Sequence, residues 1–317
     1  MGNVWIYILI ILPEFVDETF ENHFKKNQSH EEYHADKTAI NSSTLKLSFK
    51  SDAAVYAHYL VQEPTQEEIE EEGEEDELPT TKTPDHLKLG SALHAAALEP
   101  VRFYETLIQE PKFSGKGMKA RKAEWLASQP ANATILKPKL YLQTEGMVNS
   151  FLARTEIKNL LMMGIPEMSG YYRHPDTGIK CKVRPDLWDE GNGILVDIKT
   201  TRNSSDPQEF WKDCKKYRYD LSMAMYADGI AHITGSRPAH CFFLVIEKTP
   251  PYECSLLRMT ERMLQRGHEE YIFAMQKLEF CLKTGIWKSR QAALATVWED
   301  FDYPDFMYKK KENEIYE

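Results

Sequence analysis

The stretch that decides the fold is IKCKVRPDLWDEGNGILVDIKTT, residues Ile179–Thr201. Two apolar or alternating runs, Ile179–Trp188 and Ile194–Thr200, flank the turn-forming cluster Asp189–Gly193. This pattern predicts two strands joined by a tight turn. A further alternating run, Met168–Arg173, precedes them, and the turn cluster Pro175–Gly178 separates it from Ile179. The sequence therefore predicts a three-stranded antiparallel meander.

Charged residues occupy fixed positions in this predicted hairpin. Side chains on a strand alternate between its two faces, so Asp197 and Lys199 point the same way while Ile198 points into the core. The turn brings Asp186 alongside them. We therefore expect two carboxylates and one ammonium group to meet at one end of the sheet.

Two carboxylates beside a lysine are suited to metal-assisted phosphodiester hydrolysis. Mg²⁺ usually takes one or two carboxylates together with phosphate oxygens and waters. A lysine can orient or deprotonate the attacking water, or stabilise developing charge. The alternative is a surface strand with an ordinary Asp–Lys pair. Asp197 lies in an apolar run, where an uncompensated charge would be costly, and this favours the site.

The remaining sequence predicts helices on both sides of a mixed central sheet, which is an α/β or α+β single domain. The predicted helices are Ser42–Leu60 (capped by the Ser42-Ser43 pair), His86–Leu98, Pro138–Met163, Pro207–Lys216, Tyr219–Ile233 and Thr260–Thr284. Two more strands are predicted around Cys241–Ile246 and Glu253–Met259.

The net charge of −10 is local and does not exclude a nucleic-acid partner. Residues Glu63–Glu77 hold ten acidic residues and no basic one, and the other 302 residues carry 39 of each. We expect an N-terminal segment of uncertain order (residues 1–38), a catalytic domain (39–285) and a C-terminal tail (286–317). The domain is interrupted by an acidic, disordered insertion at 63–80.

Apolar runs and cysteines indicate a cytoplasmic protein. The apolar run Val4–Leu12 has nine residues, whereas a membrane span needs about 20. It also lacks the basic flank and the cleavage site of a signal peptide. The five cysteines form no CxxC pair, and their odd number argues against a disulfide framework.

Five motifs in order resemble the prophage exodeoxyribonuclease VIII (RecE-type) nuclease domain of the PD-(D/E)xK superfamily. They are GSALH (Gly90–His94), GIPEMSG (Gly164–Gly170), CKVRPD (Cys181–Asp186), VDIKTT (Val196–Thr201) and YRYDLSMAMYADG (Tyr217–Gly229). The resemblance spans about residues 39–284 and implies a restriction-endonuclease-like core. It further implies an exonuclease that uses Mg²⁺, with Mn²⁺ as an alternative, and degrades double-stranded DNA from the 5′ end. The 3′ single strands would pass to an annealing recombinase, and the enzyme could form a homo-oligomeric ring.

The same resemblance assigns roles to individual residues. It implies that His94, Asp186, Asp197 and the Ile198 carbonyl bind the metal and that Lys199 is the catalytic lysine. Glu167 corresponds to an acidic residue at the entry to the sheet and is a further catalytic candidate.

The helix after the catalytic strand departs from the family pattern. Related nucleases place Gln four residues before a tyrosine, and here that position before Tyr226 is Ser222. The two residues can share a helix face, so both remain candidates for DNA binding. Ser222 is shorter than Gln and lacks its amide. The expected contact of this helix with the DNA end or with the lysine is therefore weaker. An alternative role for Tyr226 is in the core.

Basic side chains supply the predicted phosphate contacts, whose affinity would fall with salt. The candidates are Lys112, Lys116, Lys119, Arg121 and Lys122, and a second group around Lys212 that includes Lys215, Lys216 and Arg218. Some related nucleases hold an iron–sulfur cluster on four cysteines. Here no cysteine precedes Cys181 and no short-spaced triplet follows, so we expect no such cluster.

Two other functions remain open from the sequence. The catalytic motif does not encode a preference for ends, so an endonuclease or structure-specific nuclease of the same superfamily is one alternative. A non-catalytic DNA-binding protein that keeps the fold is the other. The complete set of Asp186, Asp197 and Lys199 argues against it, and Ser222 argues for it.

Overall fold

The structure, a computed structural model, describes residues 20–26, 28–58, 85–130 and 133–290. The predictions for Val4–Leu12 and for the acidic insertion lie outside these residues. In the described ranges, no helix is both long enough and apolar enough to cross a membrane.

A mixed five-stranded sheet lies at the centre, in the order β10-β9-β8-β7-β4. Strands β8 and β9 are parallel, and the other neighbouring pairs are antiparallel. Its strands are β4 (Ile165–Pro166), β7 (Leu187–Asp189), β8 (Ile194–Thr201), β9 (His240–Glu247) and β10 (Cys254–Arg258).

Two smaller sheets accompany the central one. Strands β1 (His23–Lys25), β5 (Ser169–Arg173) and β6 (Lys180–Val183) form an antiparallel sheet in the order β1-β5-β6. Strands β2 (Leu107–Gln109) and β3 (Thr134–Leu136) pair in parallel.

The predicted three-stranded meander is wrong, because its middle strand is two strands in two sheets. Strand β6 pairs with β5, whereas β7 pairs with β8. The chain leaves one sheet and enters the other at Arg184–Asp186. Pro185 has no N–H to donate to a ladder, which explains the break at this point.

Helices cover the sheets on both sides. They are α1 (His30–Ala35), α2 (Ser42–Leu47), α3 (Asp52–Tyr56), α4 (Asp85–Leu98), α5 (Pro100–Thr106), α6 (Met118–Ala127), α7 (Pro138–Leu152), α8 (Thr155–Met163), α9 (Pro207–Tyr217), α10 (Tyr219–Thr234) and α11 (Glu261–Thr284).

Two long predicted helices are each divided into two. The helix predicted from Ser42 is α2 followed by α3, and the side chains of Asn41 and Ser51 cap their N-termini. A second cap inside the run starts a new helix. The helix predicted from Pro138 is α7 followed by α8. Arg154 between them is extended and donates from its guanidinium to the Cys254 carbonyl, at 3.2 Å.

The two faces of β8 contact different hydrophobic clusters. Val196 and Ile198 pack on one face with residues of α4, α7 and α8. Leu195 packs on the other with residues of α9, α10 and α11. Asp197 and Lys199 alternate with Val196 and Ile198, so they lie on the α9–α10 side.

Helix α10 also packs closely on the β5–β6 sheet. A Cβ atom at Gly229 would lie 2.8 Å from Val183 and 2.9 Å from Tyr172. The absence of a side chain at Gly229 therefore permits this contact, which fixes α10 between the two sheets.

Candidate active site

The β7–β8 hairpin places Asp186 opposite Asp197. Leu187 pairs with Val196 across the hairpin, so the next pair outward is Asp186 with Asp197. The backbone N–H of Ile198 donates a hydrogen bond to Asp186 Oδ2. The carboxylate that follows Pro185 is thus held against β8 by the backbone of that strand.

Asp197 and Lys199 form an ion pair on one face of β8. Lys199 Nζ lies 2.6 Å from Asp197 Oδ2 and 3.5 Å from the Ile198 carbonyl oxygen. Asp197 is 2% exposed, and its charge would be costly without this partner. Ile198 is buried on the opposite face, as the strand alternation predicts.

His94 reaches the same site from helix α4. Its Nδ1 lies 3.4 Å from Asp186 Oδ1, and its imidazole keeps partial solvent exposure. The neighbouring residues Leu93, Ala96 and Ala97 are buried in the core. These residues share a hydrophobic cluster with Val196 and Ile198 of β8, and this packing presents His94 to Asp186.

The charges of Asp186, Asp197, His94 and Lys199 act on one another. Burial by itself would lower the pKa of His94 and raise that of Asp186, but their mutual attraction outweighs burial. The pKa of His94 is therefore raised, and that of Asp186 falls to about 2. Burial raises the pKa of Asp197 despite the attraction of Lys199. Burial would lower the pKa of Lys199, but the charges of Asp197 and Asp186 raise it, so Lys199 is a cation at neutral pH.

The donor groups fit a hard divalent cation by their chemistry. Two carboxylates, a backbone carbonyl and an imidazole are ligands that Mg²⁺ or Mn²⁺ accepts. Among the described residues, no three His, Cys, Asp or Glu side chains are gathered closely enough to hold a metal ion as they stand. The negative charges of Asp186 and Asp197 are instead compensated by His94 and Lys199.

Glu167 contacts Arg184 and the backbone of Asp186. Its Oε2 is 2.8 Å from an Arg184 guanidinium nitrogen, and its backbone N–H donates to the Asp186 carbonyl at 3.0 Å. Its φ of 44° is in the left-handed region, which is uncommon for a residue with a side chain. The structure thus places Glu167 against the backbone of Asp186 and its carboxylate on Arg184.

Ser222 and Tyr226 meet helix α2 rather than the open surface. Ser222 is 4% exposed, and its Oγ donates to Ser42 Oγ at 3.2 Å. Burial and the carboxylate of Asp197 raise the pKa of the Tyr226 hydroxyl, which also hydrogen-bonds to Ser42. The pair therefore lies on one helix face near the site, as its spacing predicts.

Two residues beside the lysine were not identified from the sequence. Lys199 Nζ lies 5.1 Å from the Tyr219 ring centre, and Lys46 Nζ lies 5.5 Å from the same centre. Tyr219 precedes Tyr226 by seven residues, about two helical turns. Lys46 follows Ser42 by four, about one turn. These spacings place Lys46 and Tyr219 on the same helix faces as Ser42 and Tyr226 and could have identified them. Only the packing of α2 near α10, however, brings the two side chains to the site.

The predicted phosphate-binding residues lie on two surface segments. Lys112, Lys116 and Lys119 are exposed on or before α6. Lys122 pairs with Glu110, and Arg121 donates to the Ser114 carbonyl.

The second basic group lies in the last turn of α9 and at its C-terminal cap, Arg218. Lys215 and Lys216 are exposed. Arg218 pairs with Glu270, and its guanidinium lies 3.7 Å from the Phe49 ring centre. Arg218 is thus tied to α11 while the two lysines face solvent.

Comparisons with known proteins identify the family and the fold. The model of the family described as "PDDEXK-like domain of unknown function (DUF3799)" matches residues 42–294. A crystal structure of a candidate exonuclease from Eubacterium rectale has the same fold, with a TM-score of 0.53 and 14% sequence identity. The match covers 90% of this chain and all of the other. A search of curated proteins gives no match.

Proposed function

Because the chain belongs to the family of PDDEXK-like domains, with the restriction-endonuclease-like fold of PD-(D/E)xK nucleases, we propose that it is a Mg²⁺-dependent exodeoxyribonuclease. Its substrate is linear double-stranded DNA. The observation that carries the proposal is the buried Asp197–Lys199 pair beside Asp186 at the mouth of the β7–β8 hairpin. Burying two carboxylates and a lysine costs free energy, so a strand with only a structural role would not be expected to carry them.

The site residues have distinct roles in this proposal. Asp186, Asp197, the Ile198 carbonyl and His94 would hold Mg²⁺, or Mn²⁺ in its place. When bound, the metal polarises the scissile phosphate and favours ionisation of a water.

The lysine and the glutamate contribute differently. Lys199 is cationic, so it orients the attacking water and stabilises charge on the phosphate rather than acting as a base. Glu167 positions Asp186 through the hydrogen bond to its carbonyl.

The end preference and the biological setting are the finer parts of the proposal. The family resemblance supports 5′→3′ degradation that leaves 3′ single strands. Such strands would be substrates for an annealing recombinase, and a homo-oligomeric ring around DNA would make degradation processive. The fold shared with a candidate exonuclease is compatible with action at DNA ends.

The test compares linear duplex DNA with covalently closed circles of the same sequence, in the presence of Mg²⁺. We expect nucleotides to be released from the linear DNA only. Labels on the 5′ or the 3′ end then give the polarity, and early loss of the 5′ label is expected.

Other outcomes of this test have clear meanings. Cutting of the closed circles would replace the proposal by an endonuclease. Salt-sensitive DNA binding without hydrolysis in Mg²⁺ or Mn²⁺ would indicate a non-catalytic DNA-binding protein.

A further inference from the structure

An exposed aromatic ring lies at the C-terminal end of helix α9. The Tyr217 side chain is 44% exposed. Its ring stacks on the Tyr219 ring, with 5.5 Å between ring centres and 25° between ring planes. A single exposed aromatic is ordinary on a protein surface, so the significance of Tyr217 depends on what its ring contacts.

The stacked arrangement depends on an unusual backbone conformation. Residues two apart on a helix do not face each other. Arg218, between the two tyrosines, has φ 50° and ψ 49°, a left-handed conformation that is unfavourable for a residue with a side chain. The ion pair with Glu270 and the contact with the Phe49 ring hold Arg218 in place. The fold therefore keeps the two rings stacked at a local conformational cost.

Tyr219 connects this exposed ring to the catalytic lysine. Its ring centre is 5.1 Å from Lys199 Nζ and 5.5 Å from Lys46 Nζ. Its ring also contacts Phe210 and Phe243, with 6.1 Å and 6.3 Å between ring centres. Tyr219 is thus a fixed support, and only one ring separates Tyr217 from Lys199.

The charge around Tyr217 suits a polyanion. Lys216 Nζ lies 4.8 Å from the Tyr217 ring centre, and Lys215 beside it is exposed. The acidic residue of this part of α9, Asp213, is buried and accepts hydrogen bonds from Thr201 and Asn203. Its carboxylate therefore faces the interior while the lysines face solvent.

We propose that the exposed part of the Tyr217 ring stacks against an unpaired nucleobase at the end of a DNA strand, next to the catalytic site. A planar ring on a rigid support, flanked by lysines that can contact phosphates, is the arrangement by which proteins hold single-stranded nucleic acid without reading its sequence. The inference rests on the proposed nuclease function for its choice of ligand, and it adds a subsite for the terminal base.

The experiment measures DNA binding in EDTA, so that neither hydrolysis nor a bound metal contributes. The probe is a fluorescent hairpin duplex ending in a short single-stranded overhang, on either strand in turn. The overhang consists of thymidines or of abasic residues that keep the phosphates but lack bases. We expect the wild-type protein to bind the thymidine overhang of at least one polarity about tenfold more tightly than its abasic counterpart.

Three variants assign this preference to the ring. Tyr217→Leu should bind both overhangs equally, whereas Tyr217→Phe should keep the preference because stacking does not need the hydroxyl. Trp211→Leu is the matched control, because Trp211 is also exposed on α9, at 52%; it should behave as wild type. The comparison of two DNAs on one protein makes the result independent of small losses of stability.

The outcomes separate this inference from the proposed function. Equal wild-type binding to both overhangs, a preference retained by Tyr217→Leu, or no binding to either DNA would overturn the stacking site. A base preference in a protein that hydrolyses no DNA would overturn the nuclease proposal and leave the stacking site standing.

Discussion

The backbone N–H of Ile198 donates a hydrogen bond to the carboxylate of Asp186. This bond joins the residue after Pro185 to the strand that carries Asp197 and Lys199. It explains how two segments with no ladder pairing at this point remain in register. It also separates the structural role of Asp186, which is to accept a hydrogen bond, from its charge.

Substitutions at Asp186 should separate those two roles. Asn keeps an oxygen that can accept from the Ile198 N–H, whereas Ala leaves that group without its partner. We expect Asp186→Ala to lower the free energy of unfolding by about 1–3 kcal/mol more than Asp186→Asn does. Urea unfolding of both variants measures the difference. Equal stability of the two would mean that the hydrogen bond is not maintained in solution.

The Asp197–Lys199 pair should show strong energetic coupling. Lys199→Met leaves the Asp197 carboxylate buried without its cation, so we expect a loss of about 3–5 kcal/mol. The double variant Asp197→Asn with Lys199→Met should recover much of that loss, because neither charge is left alone. A double-mutant cycle by urea unfolding measures the coupling. Additive effects of the two substitutions would contradict the ion pair.

We expect the folded protein to lose stability in mild acid because His174 is buried in its neutral form. It is buried, and its Nδ1 accepts from the Thr177 N–H at 3.3 Å, which requires the neutral ring. Burial lowers its pKa below 6.5, while the nearby charges of Asp176, Asp228, His232 and His268 act in both directions. The unfolded chain then binds a proton that the folded chain does not. This contribution to stability is present above the unfolded pKa and is lost as pH falls through the folded value.

The measurement is urea unfolding at about pH 7 and about pH 5 for wild type and His174→Asn. The Asn oxygen can replace Nδ1 as an acceptor but does not titrate in this range. We expect wild type to lose about 1 kcal/mol more than the variant. The same pH dependence in both proteins would show that His174 does not contribute.

The parts of this site that could be predicted from the sequence are those formed by residues close together along the chain. The pairing of β7 with β8 could be predicted because its turn and apolar runs are adjacent along the chain. The same local pattern put Asp197, Ile198 and Lys199 on their correct faces. His94 and Glu167 required the family resemblance, since nothing local indicates that α4 or β4 approaches the hairpin.

Other features could not be predicted, for physical reasons that the structure makes clear. Lys46 and Tyr219 meet only because α2 packs near α10, a contact between distant parts of the chain. The break between α2 and α3 depends on Ser51, whose side chain caps the second helix; its sequence signal is weak inside an otherwise helical pattern. Pro185 indicates that the strand predicted over Ile179–Trp188 is interrupted. The sheet that each of the two resulting strands joins is decided by tertiary pairing.

The basic segment around α6 should contribute salt-dependent DNA affinity. Lys116 and Lys119 are exposed, whereas Lys122 is paired with Glu110. We expect Lys116→Ala and Lys119→Ala each to reduce the slope of log affinity against log salt by about one. Lys122→Ala is the matched control and should have a smaller effect. Binding of duplex DNA in EDTA at several salt concentrations measures the slopes, and unchanged slopes in both test variants would exclude these contacts.

The central claim is that the carboxylates beside Lys199 make this chain a nuclease. Its most direct test is the rate of nucleotide release from linear duplex DNA with Mg²⁺, compared between wild type and Asp197→Asn. We predict hydrolysis by wild type and a decrease of about 100-fold or more in the variant, with DNA binding in EDTA retained. Equal rates in the two proteins, or no hydrolysis by wild type in either Mg²⁺ or Mn²⁺, would contradict the claim.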